Sequence, residues 1–102
     1  MMMEVTAYCP CKICCGRQAK GITASGKSVR YNHGQFVAAD TDILPLSSRI
    51  IVPGYSGGRV VPVIDTGGAI EGHRLDVFFK THAEAERWGR QILPVTIISK
   101  AK

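Results

Sequence analysis

The chain lacks the long apolar runs of a membrane protein. No stretch approaches the roughly 20 consecutive apolar residues that cross a bilayer as a helix, so the sequence predicts no membrane span. The first residues, Met1-Met2-Met3-Glu4, also lack the charged and apolar regions of a signal peptide. We therefore expect that any export signal has been removed or was never there.

Clustered charge is also missing. Thirteen Lys and Arg residues against eight Asp and Glu give a formal net charge of +5, but no run of five or more cations occurs. Aromatic residues make up only 7% of the chain and form no ladder between the cations. Because strand-tracking nucleic-acid binders combine both features, no nucleic-acid partner is expected. The scattered charge predicts a solvated basic surface that attracts polyanions in a salt-sensitive way.

Internal repeats, linkers and low-complexity segments are absent as well. A chain of 102 residues is long enough for one hydrophobic core and too short for two. We expect residues 1–102 to form a single domain, and the protein to be a monomer.

Short β-branched runs separated by Gly and Pro dominate the sequence and predict six to seven short strands. Turn signals such as Pro53-Gly54 and Ser56-Gly57-Gly58 indicate a small all-β barrel or sandwich. The predicted strands are 4–8, 21–24, 35–39, 49–52, 58–64, 75–79 and 92–98.

One helix is predicted near the C-terminus. Thr81-His82-Ala83-Glu84 fits a capping box, and Gly89 is placed to end the helix. Trp88 is expected to cover the sheet as a core residue rather than to serve as a platform for sugars.

All four cysteines, Cys9, Cys11, Cys14 and Cys15, fall in one seven-residue span. Two disulfide pairings are realistic, Cys9 with Cys14 or Cys15 and Cys11 with the other, because the third needs a strained vicinal bond. Four thiolates can also bind zinc, although one short span would then have to wrap the ion alone. Two disulfides are favoured over zinc, and a catalytic thiol comes behind both.

Three aspartates stand out as a candidate site. Asp40, Asp65 and Asp76 each lie within or at the end of an apolar β-type run, where a carboxylate needs a partner or a task. Alternation along 75–79 places Asp76 on one face with Arg74 and Phe78. Shielding by an aromatic side chain raises the pKa of a carboxyl, as a general acid near neutral pH requires.

The alternative is that two of these aspartates cap turns. Asp65 would then accept backbone hydrogen bonds from Gly67 and Gly68, and Asp40 would do the same for the Thr41-Asp42 turn. For Asp40 taken alone, the capping role is favoured.

Several segments of the sequence form a recognisable set by their order and spacing. They are Val37-Ala38-Ala39-Asp40, Ile43-Leu44-Pro45-Leu46, Ile51-Val52-Pro53-Gly54-Tyr55, Asp65-Thr66-Gly67-Gly68-Ala69-Ile70, Gly72-His73-Arg74-Leu75-Asp76-Val77-Phe78-Phe79, and Glu84-Ala85 with Trp88-Gly89. This set closely resembles the 3D domain family, which is named for three aspartates and also forms the catalytic part of the membrane-bound lytic transglycosylase A type of enzyme. The resemblance covers nearly everything from Val5 to Ile98.

The resemblance implies a small double-psi β-barrel that cleaves peptidoglycan glycan strands between N-acetylmuramic acid and N-acetylglucosamine, closing a 1,6-anhydro ring. Asp76 would be the catalytic acid and then the base. Asp65 would orient Asp76 or stabilise oxocarbenium-like charge, and Asp40 would complete the acidic groove. The protein would be secreted or cell-wall associated and would need no cofactor, zinc at the cysteine cluster being a minority possibility.

The same resemblance suggests residues that contact substrate. The segment containing Thr6 and Tyr8 is similar to the family's first strand, and these two side chains would hydrogen-bond to or stack on the sugars. Glu71 departs from the basic residue expected at its position and adds a fourth carboxylate, and the Cys-rich loop 9–16 follows the first strand as an insertion. The other expected substrate-binding residues are Thr66, Gly67, Gly68, Lys20 and Arg74.

Two other functions remain open on the sequence. One is a non-catalytic cell-wall carbohydrate-binding barrel, since fold does not fix activity. The other is a homodimeric aspartic protease, because Val63-Ile64-Asp65-Thr66-Gly67 looks like the Asp-Thr-Gly loop of retroviral-type enzymes. That hypothesis leaves Asp40 and Asp76 unexplained, and the C-terminal run 92–98 lacks the Gly of those proteases.

Overall fold

The computed structural model of the protein describes residues 1–9, 23–67 and 70–100. Over these residues the fold is mostly β with one short helix, as predicted. The helix α1 is His82–Trp88, and 3-10 turns lie at Tyr31–Gly34 and Ser56–Gly58. The strands are β1 Met2–Tyr8, β2 Val37–Ala39, β3 Arg49–Ile51, β4 Val60–Asp65, β5 Arg74–Phe78, β6 Gln91–Pro94 and β7 Thr96–Ser99.

All seven strands belong to one sheet, in the order β6-β1-β5-β2-β4-β3-β7. The β1–β5 and β2–β4 pairs are parallel, and the other pairs are antiparallel. Over the residues described, the sheet is open, so the predicted double-psi barrel is not found. β6 pairs with β1 and β7 pairs with β3, so these two strands are the edges of the sheet, and among the described residues no ladder joins them.

Two of the predicted strand runs need correction. The run 92–98 is interrupted at Val95, which is 1% exposed and donates its N–H to the carbonyl of Met1 at 2.8 Å. The run 21–24 is not a strand over its described part. There Thr23 enters a tight turn in which its carbonyl accepts from the N–H of Gly26 at 2.9 Å.

Alternation along the strands buries one face of the sheet. Val5 of β1 and Leu75 and Val77 of β5 point into the main core, together with residues of the other strands. Trp88 packs against this core and donates its indole N–H to the carbonyl of Val5 at 3.2 Å. The expectation that Trp88 is a core residue is confirmed. The buried members are Met3, Val5, Val37, Ala39, Leu44, Ile50, Val52, Tyr55, Val61, Val63, Leu75, Val77 and Val95.

Helix α1 has the predicted ends. The side chain of Thr81 accepts from the backbone N–H of Glu84 at 3.2 Å, as in a capping box. Gly89 follows the helix with φ +67°, a conformation that an L side chain rarely adopts. In the part of the chain that the structure describes, no helix is long and apolar enough to cross a membrane.

Tyr55 connects strand ends through a buried hydroxyl. The side chain is 3% exposed, and its hydroxyl accepts from the N–H of Phe36 at 3.1 Å. The same oxygen lies 2.5 Å from the carbonyl of Phe78 and 3.1 Å from that of Phe36. Burial raises the pKa of Tyr55, so the phenol stays protonated and donates to these carbonyls. It thus ties the start of β2 to the end of β5.

Replacing Tyr55 with Phe should lower the free energy of unfolding by about 1–3 kcal/mol, because the buried N–H of Phe36 loses its acceptor. The matched control is Tyr31→Phe, since Tyr31 is 45% exposed. Urea unfolding measures both. Equal effects of the two substitutions would contradict a specific role for the buried hydroxyl.

Candidate active site

The strand register places two of the three aspartates in one row across the sheet. Thr6 of β1 lies opposite Asp76 of β5, and Asp76 lies opposite Ala38 of β2. Ala38 in turn lies opposite Asp65 of β4. We call these four residues the acid row. Strands lie roughly 4.8 Å apart, so the backbones of Asp65 and Asp76 are about 10 Å apart, with only a methyl group between them.

An irregularity in β4 allows Asp65 to join the row. Val37 pairs with Val63 and the next residue, Ala38, pairs with Asp65, which leaves Ile64 as an extra residue. Such a bulge re-aims the side chains that follow it. Val63 stays in the main core, whereas Ile64 packs with Phe36 and Phe78 in a second cluster on the other side.

Asp76 has the environment of a general acid. Its half-buried carboxyl accepts a hydrogen bond from the hydroxyl of Thr6. Burial raises the pKa of Asp76; the Thr6 hydrogen bond and the positive charge of Arg74 oppose this rise, and the negative charge of Asp65 adds to it. The net direction is upward, so Asp76 holds its proton to a higher pH than an exposed aspartate.

An aromatic cluster lies beside the acid row. The Tyr8 ring meets that of Phe78 edge-on at 5.4 Å between centroids, and Phe78 stacks on Phe36 at 4.5 Å. Phe78 is the second residue after Asp76 and therefore shares its face, as predicted. Phe36 was not expected here, and only its place directly before β2 in the sequence hinted at it.

Asp65 is held by three donors. Oδ1 accepts from the N–H groups of Ala24 at 2.8 Å and Thr66 at 3.0 Å. Oδ2 accepts from the hydroxyl of Tyr8 at 2.8 Å. The donors expected from the sequence were Gly67 and Gly68; the hydrogen bonds described for Asp65 come instead from Ala24, Thr66 and Tyr8, and Gly68 lies outside the described residues. The Tyr8 side chain thus reaches from β1 to the end of β4 and positions the Asp65 carboxylate.

Asp40 fastens loops and lies outside the acid row. Oδ1 accepts from the N–H of Asp42 at 2.9 Å, which is the turn contact expected from the sequence. Oδ2 accepts from the N–H of Gly72 at 2.7 Å. These backbone hydrogen bonds, that of Gly72 first, lower the pKa of Asp40. It therefore remains ionised and ties the β2–β3 turn to the connection before β5.

An ion-paired cluster lies beside Thr6 and Asp76 of the acid row. Nε of Arg74 is 3.2 Å from one carboxylate oxygen of Glu4, and Arg90 is 3.0 Å from the other. Glu4 and Arg74 are opposite each other in the β1–β5 register, one step along the same face from Thr6 and Asp76. Sequence reasoning missed Glu4 and Ala38, although the alternation of Glu4 with Thr6 was a usable signal.

Some predicted residues lie outside the described part of the chain: Lys20, Gly68, Cys11, Cys14 and Cys15. The disulfide prediction is not supported, since Cys9 is the one cysteine described; it is buried, with its sulfur 3.7 Å from Nδ1 of His82. Within the described residues no group of three or more His, Cys, Asp or Glu is placed to hold a metal ion. Glu71 is exposed and is not a member of the acid row.

Comparison with known proteins points to the cell wall. Residues 35–99 match the model of the 3D domain family. YabE of Bacillus subtilis (strain 168), whose name refers to cell wall shaping, is 33% identical over 97% of this chain and 23% of its own length. YocH of the same organism, named a cell wall-binding protein, is 34% identical over 78% of this chain and 27% of its own. The chain thus spans about a quarter of these relatives.

The fold is similar to that of MltA from Escherichia coli, described as a unique lytic transglycosylase fold. The TM-score is 0.61 at 22% identity over 79% of this chain and 28% of MltA. MltA with bound chitohexaose gives a TM-score of 0.56 over the same share of this chain. At such identity the likeness shows a shared fold. Nothing in these matches favours the aspartic-protease hypothesis. With its family model matched over residues 35–99, this chain belongs to the 3D domain family.

Proposed function

We propose that this domain is a lytic transglycosylase that cleaves peptidoglycan glycan strands outside the cytoplasm. The observation that carries the proposal is Asp76, a half-buried carboxyl with a raised pKa, held by Thr6 beside a second carboxylate. The family, the cell-wall relatives and the transglycosylase fold of MltA support the same substrate.

In the first step, protonated Asp76 donates its proton to the glycosidic oxygen between N-acetylmuramic acid and N-acetylglucosamine. The bond from C1 to that oxygen breaks, and positive charge develops on the muramyl ring. The Asp65 carboxylate lies two strands from Asp76 in the acid row and stabilises this positive charge.

In the second step, the Asp76 carboxylate accepts the proton of the muramyl C6 hydroxyl while that oxygen bonds to C1. A 1,6-anhydro ring closes, and Asp76 is again protonated. Because the nucleophile belongs to the substrate, no second carboxylate has to activate water, in contrast to ordinary glycosidases. One acid that returns as a base is therefore sufficient.

A second candidate is a non-catalytic cell-wall-binding domain. It is favoured by the name of YocH, a cell wall-binding protein that is 34% identical to the chain. Both candidates use the same outer face of the sheet. They differ in whether Asp76 transfers a proton.

Asp76→Asn should reduce release of 1,6-anhydromuropeptides from purified peptidoglycan by about 10²–10⁴-fold, since Asn cannot supply the proton. The matched control is Asp42→Asn, because Asp42 is exposed and its backbone N–H, not its side chain, contacts Asp40. Products are identified by mass spectrometry. Reducing-end products, or equal activity in the two variants, would overturn the mechanism.

Thr6→Val should shift the basic limb of the kcat/KM pH profile to higher pH. The Thr6 hydrogen bond lowers the pKa of Asp76, so its loss lets that pKa rise further, and the acid stays protonated longer. Thr96→Val, on the exposed edge strand β7, is the control. A limb that stays in place, or moves to lower pH, would contradict the assignment of Asp76 as the acid.

The raised pKa of Asp76 also predicts how stability depends on pH. Folding favours the protonated carboxyl, so this stabilisation is fully present below the unfolded pKa and is lost as pH rises through the folded pKa. Asp76→Asn removes the charge, so at pH 7 it should be at least as stable as the wild type. At pH 3 the advantage should vanish. Thermal unfolding of the variant and the wild type at both pH values tests this. The prediction is refuted if the stability of the variant relative to the wild type is lower at pH 7 than at pH 3.

A further inference from the structure

A basic groove lies on the same outer face of the sheet as the acid row. Its cavity of about 260 Å³ has a floor of three apolar residues from β4, Val60, Pro62 and Ile64. They alternate with the core residues Val61 and Val63, so they point to the outer face. The walls are formed by Lys27 and Tyr31 on one side and Arg49 of β3, opposite Pro62, on the other.

The groove is continuous with the acid row. Ile64, at the end of its floor, directly precedes Asp65. The turn that carries Lys27 is fastened to the same place, because Ala24 donates to the Asp65 carboxylate at 2.8 Å and Ser25 donates to the carbonyl of Ile64 at 3.1 Å. A polymer lying along the acid row therefore passes the mouth of this groove.

The chemistry of the groove suits a carboxylate on a small apolar chain. Lys27 and Arg49 both line it, no lining residue is acidic, and no described carboxylate forms an ion pair with either cation. The Lys27 ammonium lies 5.0 Å from the centroid of the Tyr31 ring, which is 45% exposed. Such an aromatic surface covers aliphatic groups while the two cations bind the acid.

We propose that this groove binds the acidic stem peptide that branches from the muramyl residue of a glycan strand. The proposal rests on the proposed function, since it requires a glycan strand along the acid row. A stem peptide fits better than a separate phosphate polymer, because the groove adjoins Asp65 and a branch of the bound strand reaches it. The domain would thus read both the sugar backbone and its peptide.

Binding is measured by calorimetry on two probes in the Asp76→Asn background, in which cleavage is expected to be strongly reduced. One probe is glycan strands with intact stem peptides, and the other is the same strands after an amidase has removed the peptides. Arg49→Gln and Lys27→Gln test the cations. Arg87→Gln is the matched control, since Arg87 is exposed on α1, which packs against β1.

We expect peptide-bearing strands to bind about tenfold more tightly than denuded strands, a preference that each groove substitution reduces and Arg87→Gln leaves intact. The preference should also fall as salt is raised. Equal binding of the two probes, or groove substitutions that weaken both equally, would overturn the proposal. Competition by soluble wall teichoic acid but not by stem peptide would overturn it in favour of a phosphate site. These outcomes do not depend on whether the wild type releases anhydro products, so failure of catalysis is recognised separately.

Discussion

The placement of β5 between β1 and β2 is the constraint on which the rest of the structure depends. It pairs in parallel with β1 and antiparallel with β2, and its Leu75 and Val77 fill the main core. The same five residues turn Asp76 to the opposite face, between Thr6 and Ala38. Because β5 is a central strand that fills the core, its register with β1 and β2 fixes the position of the Asp76 carboxyl.

Burial at that position disfavours the charged form of Asp76, and the neighbouring groups reduce this effect without abolishing it. Burial raises the pKa of Asp76, while Thr6 and Arg74 act in the other direction. Asp65, by contrast, has three hydrogen-bond donors. The two carboxylates of one row thus have different surroundings, and the proposed mechanism assigns them different tasks, proton donor and charge stabiliser.

The outer face combines acidic, aromatic and basic regions in sequence across neighbouring strands. Glu4 and Arg74 lie at one end, the acid row crosses the middle, and the groove with Lys27 and Arg49 follows beyond Asp65. The proposed ligand, an extended glycan strand with a charged branch, would follow this order of regions. In the relatives YabE and YocH, the region similar to this chain is about a quarter of a longer protein.

The sequence by itself determined the local features: most of the strand runs, the Thr81 cap, the packing of Trp88 on the core and the face that Asp76 shares with Phe78. These depend on alternation and on contacts a few residues apart, which the order of residues specifies directly. The tertiary structure decided which aspartates meet. Only the non-local pairing of β4, β2 and β5, with Ile64 as the bulged residue, brings Asp65 into the row, whereas contacts with Asp42 and Gly72 hold Asp40 outside it. It also decided that β6 and β7 part at Val95, leaving an open sheet, because the partners of an edge strand are set by packing and not by its own residues.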